Sequence, residues 1–199
     1  CLTSEDGLPS DDIRAIIQDH LGLMWFGTGA EGVIKYDGYR FTSYTHDPLD
    51  PQSLSTNSVE VLFRDRDNTL WIGTTGGGLN KLERETESFV RYLHDPDQSN
   101  SLPHNNIKAM CEDSTDTTWV SSNGGLSKFD REHGTFFTYQ HNPDDPNSLG
   151  GNSVRTIYED RETGLLWLGT RRNGITIYAR NREQFTRYRH NPDDATSLS

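Results

Sequence analysis

The sequence predicts an all-β protein made of β-propeller blades, and three observations lead to this prediction. The only tryptophans, Trp25, Trp71, Trp119 and Trp167, recur every 46 to 48 residues. Other short phrases, such as HDP or HNP and a final F-x-x-Y, return with the same period. Apolar residues alternate over short stretches, and no stretch has the 3.6-residue periodicity of a helix. A fixed period of this length indicates a solenoid, a propeller or an array, and four short strands per repeat indicate a propeller blade.

The second repeat shows the order of the four strands. In VEVLFRD, the residues Val59, Val61 and Phe63 have the same parity, which predicts that they share one face of a first strand. The turn DRDN leads to the tryptophan strand LWIGT, and a Gly-containing turn leads to a third strand, GLNKLER. The turn ETES then leads to a fourth strand, FVRYLHD. Gly, Asn and Asp stand where tight turns require them.

We expect four repeats, at residues 8–53, 54–101, 102–148 and 149–197, in one propeller segment that spans residues 1–199. The closing HNPDDATSLS resembles HDPLDPQSLS, which leads from the first repeat into the second. The four repeats are therefore expected to be a fragment of a larger propeller of about seven blades. A closed ring of four blades is the alternative.

The composition excludes several classes of protein. Hydrophobic residues make up 31% of the chain, the mean hydropathy is −0.81 and the formal net charge is −11. An acidic chain repels phosphate backbones, so we expect no nucleic-acid partner. No run of about 18 apolar residues is present, so a membrane is expected only through other parts of a parent chain. No signal peptide is recognised, and two cysteines, Cys1 and Cys111, do not settle the compartment.

The repeats resemble the two-component regulator propeller repeat. That repeat runs roughly from Gly-Leu or Ser-Leu through Asn-x-Val/Ile and Glu-Asp to Leu-Trp-Ile-Gly-Thr, Gly-Gly-Leu and Phe-x-x-Tyr. The segments TNSVEVLFRDRDNTLWIGTTGGGLNKLE and NSVRTIYEDRETGLLWLGTRRNGITIY match it best. The third repeat departs from it, with Ser121 and Ser122 where the other repeats have Gly-Thr. The resemblance covers essentially the whole chain.

This resemblance implies a sensory role. The opening LTSEDGLPSDDIRAIIQDHLGLMWFGT is similar to the start of the periplasmic sensor region of hybrid two-component histidine kinases. Propellers of that family sense nutrients, often carbohydrate fragments, ahead of a membrane helix and a kinase or other output module. We therefore expect a periplasmic segment that binds a small-molecule or oligosaccharide ligand and forms a homo-oligomer. It would signal through a change in dimer geometry and have no enzymatic activity of its own.

Two other functions stay open. One is a propeller glycosidase or lyase acting on acidic sugars, although the sequence identifies no catalytic residues and no converging pair of carboxylates. The other is a purely structural dimerisation module, because the end faces of four blades that do not close are apolar and tend to be covered by another chain. No cofactor is expected. No metal site is expected either, because the repeated histidines, His46, His94, His141 and His190, lie one per blade.

Three repeated features are expected to be structural. One tryptophan per blade, at a fixed place beside β-branched residues, indicates a packing wedge between blades. The Asp-rich turn before it resembles the Asp-box hairpin of sialidases, which is also structural, and is expected to be solvated. The Gly-rich turn after it lacks the GK[ST] ending of a phosphate loop and is followed by a strand. A glycine persists before the third strand, at Gly32, Gly78, Gly125 and Gly174, which indicates a positive φ.

Divergent polar residues are the candidates for ligand contact. In an antiparallel blade with strands A to D, the B–C turns and the long D–A loops emerge at the same end, where propellers usually bind ligands. Positions shared by all repeats serve every blade, whereas divergent ones are free to contact a ligand. The divergent residues are Glu31, Thr75, Asn123, Arg171 and Arg172. In an acidic chain, the Arg171–Arg172 pair is suited to a carboxylate or a sulfate, or is simply solvated.

A second divergent set lies near the start of each first strand. Its members are Arg14, Glu60, Lys108 and Arg155. They are candidates for the mouth of a central channel, and salt bridges between neighbouring blades are an equally good interpretation. Cys111 aligns with apolar or aromatic residues of the other repeats, so it is expected to be a core thiol rather than a nucleophile.

Overall fold

The computed structural model describes residues 7–194, 197 and 198 of the chain. These residues form sixteen β-strands and no helix, so they include no helix of the length and apolarity needed to cross a membrane. The strands form four sheets, each of four strands in the order in which they occur along the chain. The prediction of an all-β protein with four blades of four antiparallel strands is confirmed.

Each sheet is one blade, with strands A to D in chain order. Blade 1 comprises β1 (Ile13–Gln18), β2 (Met24–Thr28), β3 (Val33–Tyr36) and β4 (Phe41–Tyr44). Blade 2 comprises β5 (Val59–Arg64), β6 (Leu70–Thr74), β7 (Leu79–Glu83) and β8 (Ser88–Tyr92). Blade 3 comprises β9 (Ile107–Glu112), β10 (Thr118–Ser122), β11 (Gly125–Asp130) and β12 (Thr135–Tyr139). Blade 4 comprises β13 (Val154–Asp160), β14 (Leu165–Thr170), β15 (Ile175–Ala179) and β16 (Gln184–Tyr188).

The chain divides into two compact units. Unit 1 consists of residues 1–94 and 105–107, and unit 2 of residues 95–104 and 108–199. Blades 1 and 2 lie in unit 1; blades 3 and 4 lie in unit 2, apart from Ile107 at the start of β9. Each unit has its own hydrophobic core between its two blades. The two units therefore give two independent examples of the same blade-to-blade junction.

Strand A contains a β-bulge that the sequence pattern does not reveal. In blade 2 the register with strand B shifts between Val59 and Val61, so Glu60 is an extra residue. Blades 1 and 4 have the same shift at the equivalent place. Leu62, and not Val61 or Phe63, therefore joins Val59 in the core between blades 1 and 2. The single face predicted for Val59, Val61 and Phe63 is wrong, because one extra residue exchanges the two faces of a strand.

The core of unit 1 lies between the sheets of blades 1 and 2. Its buried members are Trp25, Val33, Leu54, Val59, Leu62, Leu70, Ile72, Leu82 and Phe89. The Trp25 indole is 2% exposed and stacks on Tyr44, with ring centroids 5.7 Å apart. The Lys35 ammonium lies 5.9 Å from the centre of the same indole. Trp25 therefore fills the space between two blades, and truncation of a buried side chain of this size costs about 3 to 5 kcal/mol.

Unit 2 repeats this junction between blades 3 and 4. Trp119 is fully buried in the place of Trp25, and Leu149 comes from the connecting loop. The other buried members are Leu126, Val154, Leu166, Leu168, Tyr178 and Phe185. The Tyr139 and Tyr178 hydroxyls lie 2.9 Å apart in this core. Burial and this contact raise the pKa of Tyr178, so its hydroxyl stays protonated and available for the bond.

A buried aspartate ties the tryptophan of blades 1 to 3 to the turn between strands A and B. In blade 1, one Asp19 carboxylate oxygen accepts hydrogen bonds of 2.9 and 3.0 Å from two backbone N–H groups of the turn. The other oxygen accepts the Trp25 indole N–H at 2.8 Å. The buried aspartates that make this indole bond are Asp19, Asp65 and Asp113. The expectation of a solvated turn is wrong here, because several donors compensate for burying the carboxylate.

In both units, an arginine of the following blade also binds the buried aspartate that holds the tryptophan. Arg84 of blade 2 donates to Asp19 of blade 1 at 2.9 Å, and Arg180 of blade 4 pairs with Asp113 of blade 3. Burial raises the pKa of both carboxyls, but hydrogen bonds from the indole and the turn outweigh burial, so each pKa lies below its usual value. We call these groups the Trp–Asp–Arg links; they are Trp25–Asp19–Arg84 in unit 1 and Trp119–Asp113–Arg180 in unit 2.

Among the described residues, the arginine of the Trp–Asp–Arg link has a second carboxylate partner in unit 2 but not in unit 1. In unit 2, Glu159 accepts a hydrogen bond from Arg180 Nη2 at 2.8 Å. The residue at the position of Glu159 in blade 2 is Arg64. In unit 1, the Nε and Nη2 atoms of Arg84 are buried and find no hydrogen-bond partner in the described part of the chain. An unpaired buried donor costs about 1 to 3 kcal/mol, so the link in unit 1 is the weaker one.

Trp167 differs from the other tryptophans. It is 39% exposed, whereas the other three are 3% exposed or less. It pairs across the sheet with Tyr158, which is 65% exposed, and Tyr188 lies on the same face. In the described part of the chain, no further blade follows blade 4. The wedge predicted at Trp167 is therefore not formed among these residues, and blade 4 presents an apolar sheet face, here called the blade 4 face (Tyr158, Trp167, Ile175, Ile177 and Tyr188).

Cys111 is a half-buried free thiol in strand A of blade 3. Burial, with the nearby carboxylates of Glu159 and Asp113, raises the pKa of this thiol to about 11. The thiol is therefore protonated at neutral pH, and a protonated thiol is a poor nucleophile. Cys1 lies outside the described residues.

We expect Asp113→Ala to lower the free energy of unfolding by about 3 to 5 kcal/mol, because it removes the buried acceptor of the Arg180 charge and the Trp119 indole. Urea denaturation followed by tryptophan fluorescence measures the change. Asp160→Ala is the matched control, since Asp160 stands at the same turn of blade 4 but bonds to groups of its own turn. Equal losses in the two variants would contradict the role given to the link.

We expect Arg64→Glu to raise the free energy of unfolding by about 1 kcal/mol, because the new carboxylate can accept from the unpaired edge of Arg84, as Glu159 does from Arg180. Arg64→Ala, which removes a charge without adding an acceptor, serves as the control. Thermal denaturation of the three proteins in parallel makes the comparison. An Arg64→Glu protein no more stable than Arg64→Ala would show that Arg84 gains nothing from a second carboxylate.

Candidate functional site

The B–C turns and D–A loops meet at one end of the blades in each unit. In unit 1, the Gly32 backbone N–H donates to the Asn57 carbonyl at 2.9 Å. In unit 2, the Arg171 backbone N–H donates to the Ser153 carbonyl at 2.9 Å. The expectation that the two kinds of connection emerge together is confirmed, and we call this side of each unit its loop end.

A glycine with a positive φ closes each B–C turn. The φ values are 74° at Gly32, 70° at Gly78, 138° at Gly125 and 70° at Gly174, as the repeated glycine predicted. A Cβ atom on Gly174 would lie 2.2 Å from the carbonyl oxygen of Tyr188. Both the backbone conformation and the close approach of strand D therefore require glycine at this position.

Histidines shape the D–A loops. In the loop before blade 4, the His141 backbone N–H donates to Asn152 Oδ1 at 2.6 Å, and His141 Nδ1 lies 2.7 Å from the Leu149 carbonyl oxygen. A carbonyl oxygen only accepts, so Nδ1 carries the proton. His46 and His190 make the equivalent 2.7 Å contact in their own loops. Among the described residues, no three His, Cys, Asp or Glu side chains are grouped to hold a metal ion.

Arg187, in strand D of blade 4, fastens the loop of residues 140–153. Its Nε donates to the Ser148 carbonyl at 2.9 Å, and its Nη2 donates to the carbonyls of Asp145 and Asn142 at 2.7 and 3.2 Å. Arg91 of blade 2 holds the loop of residues 45–58 in the same way. A guanidinium that satisfies several loop carbonyls gives the loop a fixed shape.

A polar cavity of about 410 Å³ opens at the loop end of unit 2. The B–C turns of blades 3 and 4 and the loop between these blades form its wall. The lining residues are Asn123, His141, Gly151, Asn152, Ser153, Thr170, Arg171, Arg172 and Asn173. We call it the loop-end cavity. Its volume suits a small ligand, and two arginines without an acidic neighbour in the lining make it positive in a chain of net charge −11.

Donors outnumber acceptors among the open groups of the loop-end cavity. Asn123 Oδ1 accepts from Ser153 Oγ at 3.1 Å, and Asn152 Oδ1 accepts from a backbone N–H. The Nδ2 groups of both asparagines make no hydrogen bond within the described residues. The same holds for the guanidinium groups of Arg171 and Arg172, which are exposed. Such a wall matches a ligand rich in acceptor oxygens.

The turn that carries the two arginines is fixed by its other residues. Thr170 Oγ1 accepts from the Asn173 backbone N–H at 3.1 Å and donates to the Gly174 carbonyl at 2.9 Å. Asn173 Nδ2 donates to the Gly150 carbonyl at 2.6 Å. On the other side of this turn lies a second cavity of about 440 Å³, lined by Arg172, Asn173, Gly174, Arg189, His190 and Leu198. Arg172 and Asn173 therefore line both cavities.

Three of the five residues predicted to contact a ligand meet in the loop-end cavity, namely Asn123, Arg171 and Arg172. Glu31 and Thr75 belong to B–C turns of unit 1 and do not line it. The sequence did not identify the remaining lining residues, which are His141, Gly151, Asn152, Ser153, Thr170 and Asn173. His141, Asn152, Ser153 and Thr170 belong to phrases that recur in other repeats, and such phrases indicate fold rather than site. Gly151 and Asn173 vary between repeats and could have been named with the divergent residues. The sequence did offer one signal for these residues. Because the D–A loops and B–C turns of a blade emerge at the same end, residues of the D–A loop are expected to lie near Arg171.

The residues proposed for a channel mouth coincide with the bulge of strand A. Arg14, Glu60 and Arg155 are the extra residues in blades 1, 2 and 4. Arg14 Nη1 lies 3.9 Å from Glu60 Oε2, which supports the alternative of a salt bridge between neighbouring blades for this pair. Both side chains are partly exposed, so the pair contributes at most about 1 kcal/mol. For Lys108, which is half-buried, and the exposed Arg155, a place at a channel mouth stays a prediction.

These features define a β-propeller repeat protein with a polar, positively charged cavity at its loop end. The sequence model of the two-component regulator propeller matches the chain four times, at residues 7–30, 53–76, 101–124 and 148–172, once for each blade. Its four repeats are two-component regulator propeller repeats, as the sequence predicted. The comparison with curated proteins gives no match.

Solved structures with the same fold include extracellular domains assigned to two-component and one-component systems. An extracellular domain assigned to a hybrid two-component system of B. thetaiotaomicron is 28% identical, with a TM-score of 0.84 over 96% of this chain and 26% of its own. A second B. thetaiotaomicron extracellular domain, assigned to a one-component system, is 24% identical, with a TM-score of 0.75 over 92% of this chain and 26% of its own. The chain thus spans about a quarter of these structures, in agreement with a fragment of a larger propeller.

The propeller fold also occurs in an enzyme. Virginiamycin B lyase from Staphylococcus aureus is 16% identical, with a TM-score of 0.63 over 94% of this chain and 58% of its own. An identity this low shows a common fold and carries no information about catalysis. The chain is therefore a propeller segment of the kind found in the sensor regions of two-component regulators.

We expect Arg187→Lys to lower the free energy of unfolding by about 1 to 3 kcal/mol, because one ammonium cannot reach the carbonyls that the guanidinium bridges. Hydrogen exchange should show faster exchange at the amides of Asn142 and Ser148, which are protected within the loop. Arg155→Lys is the control on an exposed arginine. Unchanged exchange in the loop would mean that Arg187 does not determine its shape.

Proposed function

We propose that the chain is the ligand-binding segment of a periplasmic sensor propeller in a two-component regulator, and that it binds an oligosaccharide or a similar small nutrient. The observation that carries this proposal is the loop-end cavity, where divergent side chains stand on a turn and a loop of fixed shape. The periplasmic location is supported by the extracellular assignment of the most similar solved structures reported above. Oligosaccharides present many hydroxyl oxygens, which suit the open donors of Asn123 and Asn152.

Binding without turnover fits this cavity better than catalysis does. A glycosidase that uses two carboxyl groups needs them about 5 to 9 Å apart across the bond that is cleaved. None of the residues that line the loop-end cavity is acidic. The imidazole of His141, which also lines the cavity, has its Nδ1 committed to the Leu149 carbonyl. A lyase or glycosidase active on acidic sugars is therefore the weaker proposal for this cavity.

Signalling is proposed to proceed through dimerisation of the whole receptor. The blade 4 face exposes three aromatic side chains, and contiguous apolar surfaces of this kind mark sites of association. In unit 1 and unit 2, the equivalent faces of blades 1 and 3 are covered by the blade that follows. The blade 4 face is suited to being covered in the same way, either by a further blade or by a second subunit. The proposal of a purely structural assembly module rests on this face alone.

The test is a binding screen of the full-length protein against neutral and acidic oligosaccharides, by thermal shift and then by titration calorimetry. We expect one class of oligosaccharide to bind saturably, and Asn123→Ala to weaken it about tenfold, because a hydrogen-bond donor in the cavity is lost. Thr163→Ala, in the turn between strands A and B of blade 4, is the control and should bind like the wild type.

Three results would count against the proposal. A saturable ligand whose affinity is the same in Asn123→Ala would move the site away from the loop-end cavity. Accumulation of cleaved product during the titration would favour an enzyme. A full-length protein that binds no oligosaccharide, but dimerises in light scattering, would favour the structural module.

A further inference from the structure

We propose that the loop-end cavity is an anion subsite, so that the group of the ligand that enters it is a carboxylate, a sulfate or a phosphate. Arg171 and Arg172 would hold this group, with the side-chain amides of Asn123 and Asn152 as additional donors. The inference rests on the proposed function, because it names the chemical class of the ligand at the same site.

The state of the arginines is the first argument. Arg84, Arg131 and Arg180 each pair with at least one carboxylate. Arg171 and Arg172 make no ion pair and no side-chain hydrogen bond among the described residues. Two adjacent guanidinium groups repel each other, and an anion between them removes the repulsion. An ionised ligand group therefore gains more from this pair than a neutral hydroxyl does.

The arrangement of donors is the second argument. The guanidinium groups come from the B–C turn of blade 4, the Asn123 amide from the B–C turn of blade 3 and the Asn152 amide from the loop between them. Donors from three segments thus surround one space, which suits the three acceptor oxygens of a sulfate or the two of a carboxylate. The backbone of each segment is already hydrogen-bonded, so little order has to be imposed when the anion binds.

The other unit provides the third argument, because its B–C turns lack this charge. In unit 1, the turn of blade 1 carries Glu31, and the turn of blade 2, TTGG, carries no charged residue. All these turns end in a glycine with a positive φ and connect the same strands. The arginines are therefore not needed to build the turn. Their presence at one turn gives that turn an affinity for anions that the fold itself does not require.

The experiment compares two sugars that differ at one group. Glucuronate and glucose are titrated into the full-length protein, each in the presence and absence of inorganic sulfate, and binding is followed by protein-observed NMR. We expect glucuronate and sulfate to compete for one site that glucose does not occupy. Arg171→Ala and Arg172→Ala should each weaken glucuronate and sulfate about tenfold to a hundredfold. Arg182→Ala, an exposed arginine of blade 4 outside both cavities, should leave them unchanged.

The outcomes separate this inference from the proposed function. Glucose that binds as well as glucuronate, or anion binding that survives the loss of both arginines, would overturn the anion subsite. A neutral oligosaccharide that still depends on Asn123 would then leave the sensor proposal standing. Conversely, sulfate binding that depends on the arginines in a protein that binds no oligosaccharide would uphold the anion subsite and overturn the sensor proposal. Thermal denaturation of each variant confirms that it is folded.

Discussion

The buried hydrogen bond between an aspartate and a tryptophan is the interaction on which the blade junction within each unit depends. The tryptophan alone would be an apolar filler that tolerates several orientations between two sheets. The carboxylate accepts a hydrogen bond from the indole N–H and so fixes the orientation of the ring. It also accepts hydrogen bonds from the backbone of the turn between strands A and B and from an arginine of the next blade. Turn, core and neighbouring blade are thus coupled through one side chain. A charge buried in this way is stable only while all its donors are present, which makes each junction cooperative.

Much of the fold follows from the sequence, because a repeated pattern reports the same structure four times. The period of the tryptophans gives the number of blades, and the turn residues give four strands in each. The bulge in strand A escaped prediction, since the extra residue Glu60 leaves the alternation of Val59, Val61 and Phe63 intact in the sequence while it exchanges their faces. The burial of Asp19 also escaped, because a polar turn looks solvated until its donors are located.

The sequence predicted residues of the candidate site that differ between repeats, but not those that the repeats share. Arg171 and Arg172 stand out because other blades have different residues there. Asn152 and His141 do not stand out, because their counterparts occur in other blades, where they hold the D–A loop. Their place in a cavity depends on the contact of two segments that are far apart in the sequence, and on which residues stand across from them. A repeated residue can thus serve the fold in every blade and the ligand in one.

The backbone groups of the blade 4 B–C turn are already hydrogen-bonded, and this has a consequence for how the residues at its tip can vary. The turn is closed by a threonine, a glycine and the neighbouring loop, and the side chains of the two arginines at its tip take no part in these bonds. Substitution of these two side chains is therefore expected to change the chemistry of the loop-end cavity without a penalty in folding. Other turns are less free, since Gly76 at the tip of the blade 2 turn has a φ of 91°. The tip of the blade 4 turn is therefore a place where the residues facing a ligand can change while the scaffold stays the same.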